Sequence, residues 1–257
     1  MAIITLTTDL GNVDYYVAAL KGRIVSANPN VNIIDISHEI PKFDHYKAAY
    51  VIREASKHFP SKTVHVIGVV NFKNNLHKLL VAHYRDQYFV CYDTGFFSLL
   101  LDEFTDATLF EVEVKTTFMN NLSPFEELID VALKIISGKP VPVFANEVFT
   151  ANRQVVWQAI KQPNAIHGNV IFIDGFENLI TNITRQMLEE FLSFKSFEIQ
   201  LRSAKINYIS KSYDDVEPGN LAAIINHSGR LEIAINQGKA AQLLGMDLGH
   251  KVNINFI

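Results

Sequence analysis

The chain has 257 residues, 48% hydrophobic and 19% charged, which is enough apolar material for a packed core and too little charge for a disordered chain. Its 23 Lys and Arg stand against 27 Asp and Glu, a net charge of −4, which argues against a bulk basic field for nucleic acid. The single cysteine, Cys91, excludes an internal disulfide framework and fits a reducing compartment.

No stretch reaches the roughly 18–20 apolar residues that span a bilayer. The first residues, MAIITLTTD, lack a basic, signal-like leader. A cytoplasmic protein with no membrane partner is expected. Residues 2–7 are apolar and β-branched and predict a strand, broken by Thr8-Asp9-Leu10-Gly11. Tyr16, Val17, Leu20, Ile24 and Val25 recur at helical spacing and predict a helix over 13–27, closed by Pro29. A strand at 31–36, a helix at 43–58 and a strand at 64–70 complete a βαβαβ order, the signature of a parallel sheet with helices on its faces. Residues 79–84 and 88–93, split by Arg85-Asp86-Gln87, predict an antiparallel hairpin. A helix at 96–104, a strand at 108–114 and a helix opened by Pro124 and stopped at Gly138 follow.

The pattern then changes. Residues 139–165 are mixed and carry Pro140, Pro142 and Pro163. Strands dominate afterwards, at 169–174, 196–201, 221–226, 230–236 and 251–257, with short helices near 185–192 and 239–244. The expected organisation is α/β. A domain over 1–150 holds a central, mostly parallel sheet, a linker follows at 151–164, and a mostly β, barrel-like domain covers 165–257.

Candidate chemistry collects where strands end. Asp9 follows the first strand, at the carboxyl end where ligands of open α/β sheets gather. Its carboxylate could accept hydrogen bonds from a ribose diol, or it could cap the next helix. Asp35 and His38-Glu39 follow the second strand. No second histidine stands at a ligating interval, so no metal is expected and a hydrogen-bonding role is favoured. Asn71-Phe-Lys-Asn-Asn75 follows the third strand and has no glycine for a phosphate cradle. In the second part, Asp174, Asn178, Thr181 and Asn182 crowd together. Asp174 offers an acceptor for an ammonium group and Asn178 a donor and acceptor for an adenine edge, while a β-turn explains Asp174-Gly175 equally well. His227 and Ser228 sit in a hairpin turn and could meet a carboxylate. Cys91, inside an apolar strand, reads as a buried thiol.

The runs ITLTTDLGNVDYYVAALKG, VHVIGVV, YFVCYDTG, VIFIDGFENLITNI and IINHSGRLEIAINQGKAAQLLG, in this order, resemble the S-adenosyl-L-methionine (SAM) hydroxide adenosyltransferase family. This family contains SAM hydrolases and is related to the SAM-dependent fluorinase and chlorinase. The resemblance covers nearly the whole chain. It implies an N-terminal α/β domain with a C-terminal barrel-like domain, and a homotrimer whose SAM site lies between subunits. It further implies hydrolysis of SAM at ribose C5′ to adenosine and methionine, with SAM as substrate or ligand and no other cofactor. By the family pattern, Asp9 holds the ribose hydroxyls, Asp174 the methionine amino group and Asn178 the adenine. Tyr213 stacks on the adenine, and His227 and Ser228 meet the methionine carboxylate.

The family's catalytic Asp, Arg and His, however, fall on Asn71, Lys78 and Ser123, and a further family Asp falls on Glu126. Asn cannot accept a proton at neutral pH, Ser lacks the titration range of imidazole, and Lys lacks the planar fork of Arg. Three outcomes are therefore expected: a slow hydrolase, a SAM- or adenosine-binding protein without turnover, or an interaction protein that keeps the fold and loses the pocket, with bulky Phe72 at the family's proline position narrowing the cavity.

Overall fold

The computed structural model describes residues 2–70, 78–101, 106–114, 120–192 and 196–257. It divides into two compact units, Met1–Val155 and Val156–Ile257.

The first unit is built on β1 (Ile3–Thr8), α1 (Tyr16–Ala27), β2 (Asn32–Ser37), α2 (His45–Ser56), β3 (Val64–Gly68), β4 (Leu79–Tyr84), β5 (Gln87–Tyr92), α3 (Phe96–Leu100), β6 (Thr108–Val112), α4 (Ser123–Ile136) and β7 (Asn146–Val148). The strands form one seven-stranded sheet in the order β2-β1-β3-β5-β4-β6-β7. β1 pairs in parallel with β2 and β3, and β3 with β5, while β4, β6 and β7 add antiparallel pairings. The expected 79–93 hairpin is β4–β5, turned by Arg85 and Asp86 at positive φ (50° and 58°).

Alternation sorts the strand side chains to two faces. Ile4, Leu6, Val64, Val66, Leu79, Val81 and Val90 pack on one face with Leu20 and Ile24 of α1 and Leu128, Ile129 and Ala132 of α4. Ile67, Leu80, Ala82, Phe89 and Cys91 pack on the other with Ala48, Ala49 and Ile52 of α2 and Phe96 and Phe97 of α3. Both faces are therefore covered, which is why these strands read as continuous apolar runs. Cys91 is buried, and burial holds its thiol pKa well above the usual value.

Helix ends follow local chemistry. Asp44 caps α2, its side chain accepting from Lys47 N at 2.8 Å. Pro124 lies in the first turn of α4, and Gly138, at φ 82°, follows its end. α1 starts at Tyr16, three residues later than expected, and Val25 is 47% exposed rather than core. α3 ends at Leu100, short of the expected 104, because Leu101 turns to an extended conformation.

One buried group in this core makes stability depend on pH. His65 has no exposed surface, stacks on Phe89 at 4.7 Å and has Nδ1 2.7 Å from Thr5 Oγ1. Burial pushes its pKa down to about 4. The native imidazole thus binds fewer protons than the unfolded one, near 6.5, so its contribution is complete above about pH 6.5 and is lost as pH falls toward 4. The unfolding free energy from urea titrations should fall over that window, by up to about 3 kcal/mol from this residue. His65→Leu should flatten that dependence. An equal slope in the variant would assign the titration to other groups.

The second unit contains β8 (Ile160–Gln162), β9 (Ala165–Ile173), β10 (Leu179–Thr184), α5 (Arg185–Leu192), β11 (Phe197–Gln200), β12 (Lys205–Ile206), a 3-10 turn at Tyr213–Asp215, β13 (Leu221–Ile225), β14 (Arg230–Ile235), α6 (Ala240–Leu244) and β15 (Lys251–Phe256). The sheet runs β12-β11-β15-β9-β10-β14-β13, with β8 also on β9, and every strand pairing is antiparallel. It nearly closes on itself: beyond β12, Ser210 bridges to Ile224 of β13 and donates its N–H to Ala223 O at 2.7 Å. β9 serves both halves, pairing β15 through 165–169 and β10 through 170–173. Ile166, Val170, Leu179, Ile183, Leu231 and Ile233 are among the residues that fill the interior.

β10 was not expected as a strand. Its Thr181 and Asn182 read as a polar site, yet both are buried and bonded within the protein. Thr181 Oγ1 donates to Leu231 O at 2.9 Å. Asn182 Oδ1 accepts from Asn169 N at 2.8 Å, and its Nδ2 donates to Trp157 O at 2.9 Å. The register of β10 against β9 shifts between Ile180 and Thr181, and the Asn182 side chain supplies a partner to Asn169 N there.

Candidate functional site

In the first unit, the carboxyl ends of β1 and β2 meet in a polar cluster. Asp9 follows β1 and is only 4% exposed. Its Oδ2 accepts from Phe43 N at 2.9 Å, and Lys42 Nζ bonds its carbonyl. Burial raises the Asp9 pKa, opposed by the Phe43 bond and the Lys42 charge. The helix-cap alternative is excluded, because Tyr15 occupies the cap of α1 and makes no side-chain cap bond. Asp9 instead ties the loop before α2, where Phe43 holds a φ of 65°.

His38 lies beneath. Its Nδ1 is 2.8 Å from Thr8 Oγ1, its Nε2 3.0 Å from Asp35 Oδ1, and its carbonyl accepts from Gly11 N at 2.8 Å. Burial acts to raise the Asp35 carboxyl, but Lys21 and His38 outweigh it and hold the pKa below the usual value. His38 thus holds the β1 and β2 ends together, the hydrogen-bonding role expected of it. Among the described residues no group of His, Cys, Asp and Glu is arranged to hold a metal ion.

Two of the three positions aligned with a catalytic set are described. Asn71 is outside the described residues, as is Phe72. Lys78 is exposed beside β4, with Nζ 3.0 Å from Glu111 Oε2. Ser123 opens α4, and its Oγ accepts from Asn120 N at 3.2 Å while Asn120 Oδ1 accepts from Ser123 N at 3.0 Å. This reciprocal pair closes the turn over 120–123 that leads into the helix.

The second unit carries a cleft of about 840 Å³. Asp174, Asn178 and Tyr213, distant in the chain, line it together, with Phe176, Gln237 and Leu243 among the other walls. Asp174 Oδ1 accepts from Phe176 N at 2.9 Å and Asn178 N at 2.8 Å, and its Oδ2 accepts from Asn178 Nδ2 at 3.1 Å. The Asp-Gly turn and the polar pair are therefore one structure. Opposite, Lys239 Nζ lies 2.7 Å from Glu177 Oε1, and Ala241 N donates to Glu177 O, joining this loop to α6. His227 and Ser228 stand in the β13–β14 turn, at the far end of β14 from Ile235, which lines the cleft.

Sequence reasoning missed Glu232. It is 4% exposed, accepts from Tyr213 Oη at 2.6 Å through Oε1 and from Asn226 Nδ2 at 3.0 Å through Oε2. Burial and this carboxylate together raise the Tyr213 phenol pKa. The available signal was a lone acid in the apolar run LEIAI.

The SAM hydroxide adenosyltransferase N-terminal domain matches residues 4–142, and the C-terminal domain of the same family matches residues 168–253. The chain belongs to the SAM hydroxide adenosyltransferase family. Relatives match over nearly full length. An (R)-S-adenosyl-L-methionine hydrolase of Methanocaldococcus jannaschii is 29% identical, covering 98% of this chain and 95% of that one. An (R)-S-adenosyl-L-methionine hydrolase of Salinispora tropica is 26% identical over 98% and 97%. The crystal structure of an uncharacterized conserved protein from Thermotoga maritima superposes with a TM-score of 0.86 at 28% identity, covering 98% of this chain and 99% of that one. The two SAM hydroxide adenosyltransferase domains fall one in each compact unit, the first holding Asp9 and the second the cleft. Among the described residues no helix is long and apolar enough to cross a membrane.

Proposed function

We propose that this protein acts on S-adenosyl-L-methionine, using water to break the bond between sulfur and ribose C5′ and yielding adenosine and methionine. The observation that carries the reading is the presence of both family domains in a chain whose full-length relatives are named (R)-S-adenosyl-L-methionine hydrolases. The water oxygen bonds C5′ as the C5′–S pair leaves on sulfur, and one proton is released to solvent. Sulfur departs as a neutral thioether, so no general acid is needed, and the protein's task is to hold and desolvate the reactants in line.

In this reading Asp9 accepts from the ribose hydroxyls, Asp174 takes the ammonium group, and Asn178 and Tyr213 take the adenine. His227 and Ser228 take the methionine carboxylate. Asn71, Lys78 and Ser123 stand at the catalytic positions. SAM is substrate, with no further cofactor, in a cytoplasmic homotrimer whose sites draw on more than one subunit. Sedimentation at several concentrations tests the trimer.

A second reading, a SAM- or adenosine-binding protein without turnover, is favoured by Lys78 and Ser123. One is engaged with Glu111 and the other with a helix turn. Loss of a positioned base costs on the order of 10²–10⁴-fold in rate. Incubation of the protein with SAM, followed by chromatography for adenosine, separates the readings. Slow adenosine release above the protein-free control is expected. Saturable SAM binding without release would establish the binding protein instead, and absence of both would reject each.

A further inference from the structure

We infer that Glu232 is a positioning residue for the cleft of the second unit, holding the Tyr213 ring as a rigid flat wall against which a planar base packs. The inference rests on the proposed action on an adenosyl ligand and adds to it a residue outside the cleft lining.

Tyr213 leaves the barrel on a short turn whose backbone is already fixed. The Ser212 hydroxyl accepts from Asp214 N at 3.3 Å, and Asp215 Oδ2 accepts from Lys211 N and Ser212 N at 2.7 and 3.1 Å. Just beyond, Asn236 Nδ2 donates to Val216 O at 2.7 Å. These bonds place Cα but leave the side-chain torsions of Tyr213 free. Tyr213 is 40% exposed, so packing alone does not hold it. The bond from its hydroxyl to Glu232 supplies the missing restraint, at 2.6 Å and to a buried acceptor.

Glu232 is suited to this by its place in β14. It lies opposite Ile180 of β10 and Ile224 of β13, so backbone on both sides fixes its position. Leu231, Ile233 and Ile235 of the same strand fill the barrel interior, and alternation sends Glu232 to the other face. There its two oxygens are divided between Tyr213 and Asn226. A buried acid costs stability unless its acceptors are satisfied, and a charge-assisted bond to a carboxylate is the strong kind. The same contact orders the aromatic wall before ligand arrives, and preorganisation of that kind lowers the entropy lost on binding.

The test is calorimetry with adenosine on wild type, Glu232→Gln, Tyr213→Phe and the double variant. Gln retains shape but replaces the charge-assisted bond to Tyr213 by a weaker neutral one, and Phe retains the ring without the tether. Each single variant should weaken adenosine binding about 5–10-fold, and the double no more than either single. A merely structural Glu232 would leave adenosine affinity unchanged while lowering the urea midpoint, and Tyr213→Phe and Glu232→Gln effects would then add. Either result overturns the inference. Glu232→Asp with restored affinity is not expected, since the shorter side chain cannot reach the hydroxyl. If wild type binds neither adenosine nor SAM, the functional reading fails. The tether is then judged by urea midpoints: losses in the double that equal a single variant support it, and additive losses overturn it.

Discussion

Asp9→Ala should weaken adenosine and SAM binding on the order of 100-fold, the largest expected change in ligand affinity. The carboxylate is nearly buried at the carboxyl end of β1 and spends one acceptor site on Phe43 N. A carboxylate has about four such sites, so the remainder can take both hydroxyls of a ribose diol. Hydrogen bonds to a charged partner contribute about 1.5–3 kcal/mol each, and about 1.4 kcal/mol is tenfold in Kd. Ala also leaves Phe43 N without its acceptor, so some loss of stability is expected. Asp9→Asn separates the two effects: its carbonyl keeps the Phe43 bond and the melting temperature, while the charge is gone and affinity still falls. Calorimetry with adenosine reads the result. Wild-type affinity in Asp9→Ala would remove this residue from the site.

Gly168→Ala should be the most damaging of small substitutions to stability. A Cβ there would stand 2.4 Å from Ile183 Cγ1 and 2.8 Å from Asn182 Oδ1. Gly168 sits where β9 pairs with β15, next to Asn169, whose N–H donates to that same Asn182 oxygen. The new methyl would thus crowd a core side chain and the group that completes the shifted ladder. Overpacking of this kind costs about 1–3 kcal/mol, or a fall in Tm of roughly 3–10 °C for a chain of this size. Ile183→Ala in the same chain removes the crowded atoms, so the double variant should lose less than the sum of the singles. Thermal melting measures both, and a Gly168→Ala chain as stable as wild type would show that β9 gives way without cost.

The same region marks the limit of sequence reasoning. β1 and β3 were legible because each is apolar and β-branched, and β4 and β5 because each is an apolar run bounded by turn residues. α4 was legible because Pro124 opens it and Gly138 closes it. β10 was not, because Asn182 and Thr181 interrupt its apolar run, and their burial depends on Asn169, Trp157 and Leu231, which lie elsewhere in the chain. Val25 shows the converse. Its spacing suits a buried helix face, but the face that packs is set by Val17, Leu20 and Ile24, and Val25 falls outside that stripe.

For the site, the chain alone named Asp9, Asp174 and Asn178 as polar groups at strand ends, and named family positions for Tyr213, Lys78 and Ser123. It determined the βαβ order, the change to a β-rich second part and the family, because each rests on local periodicity or on motifs read in order. The tertiary structure decided that Asp9 ties a loop rather than caps a helix, and that Asp174, Asn178 and Tyr213 share one cleft. It also showed Glu232 buried as the partner of Tyr213. The reason is physical. Propensity and turn chemistry act between neighbours in sequence, whereas burial of a carboxylate and its pairing with a phenol are settled by strand register and barrel closure, which bring together residues that no local pattern connects.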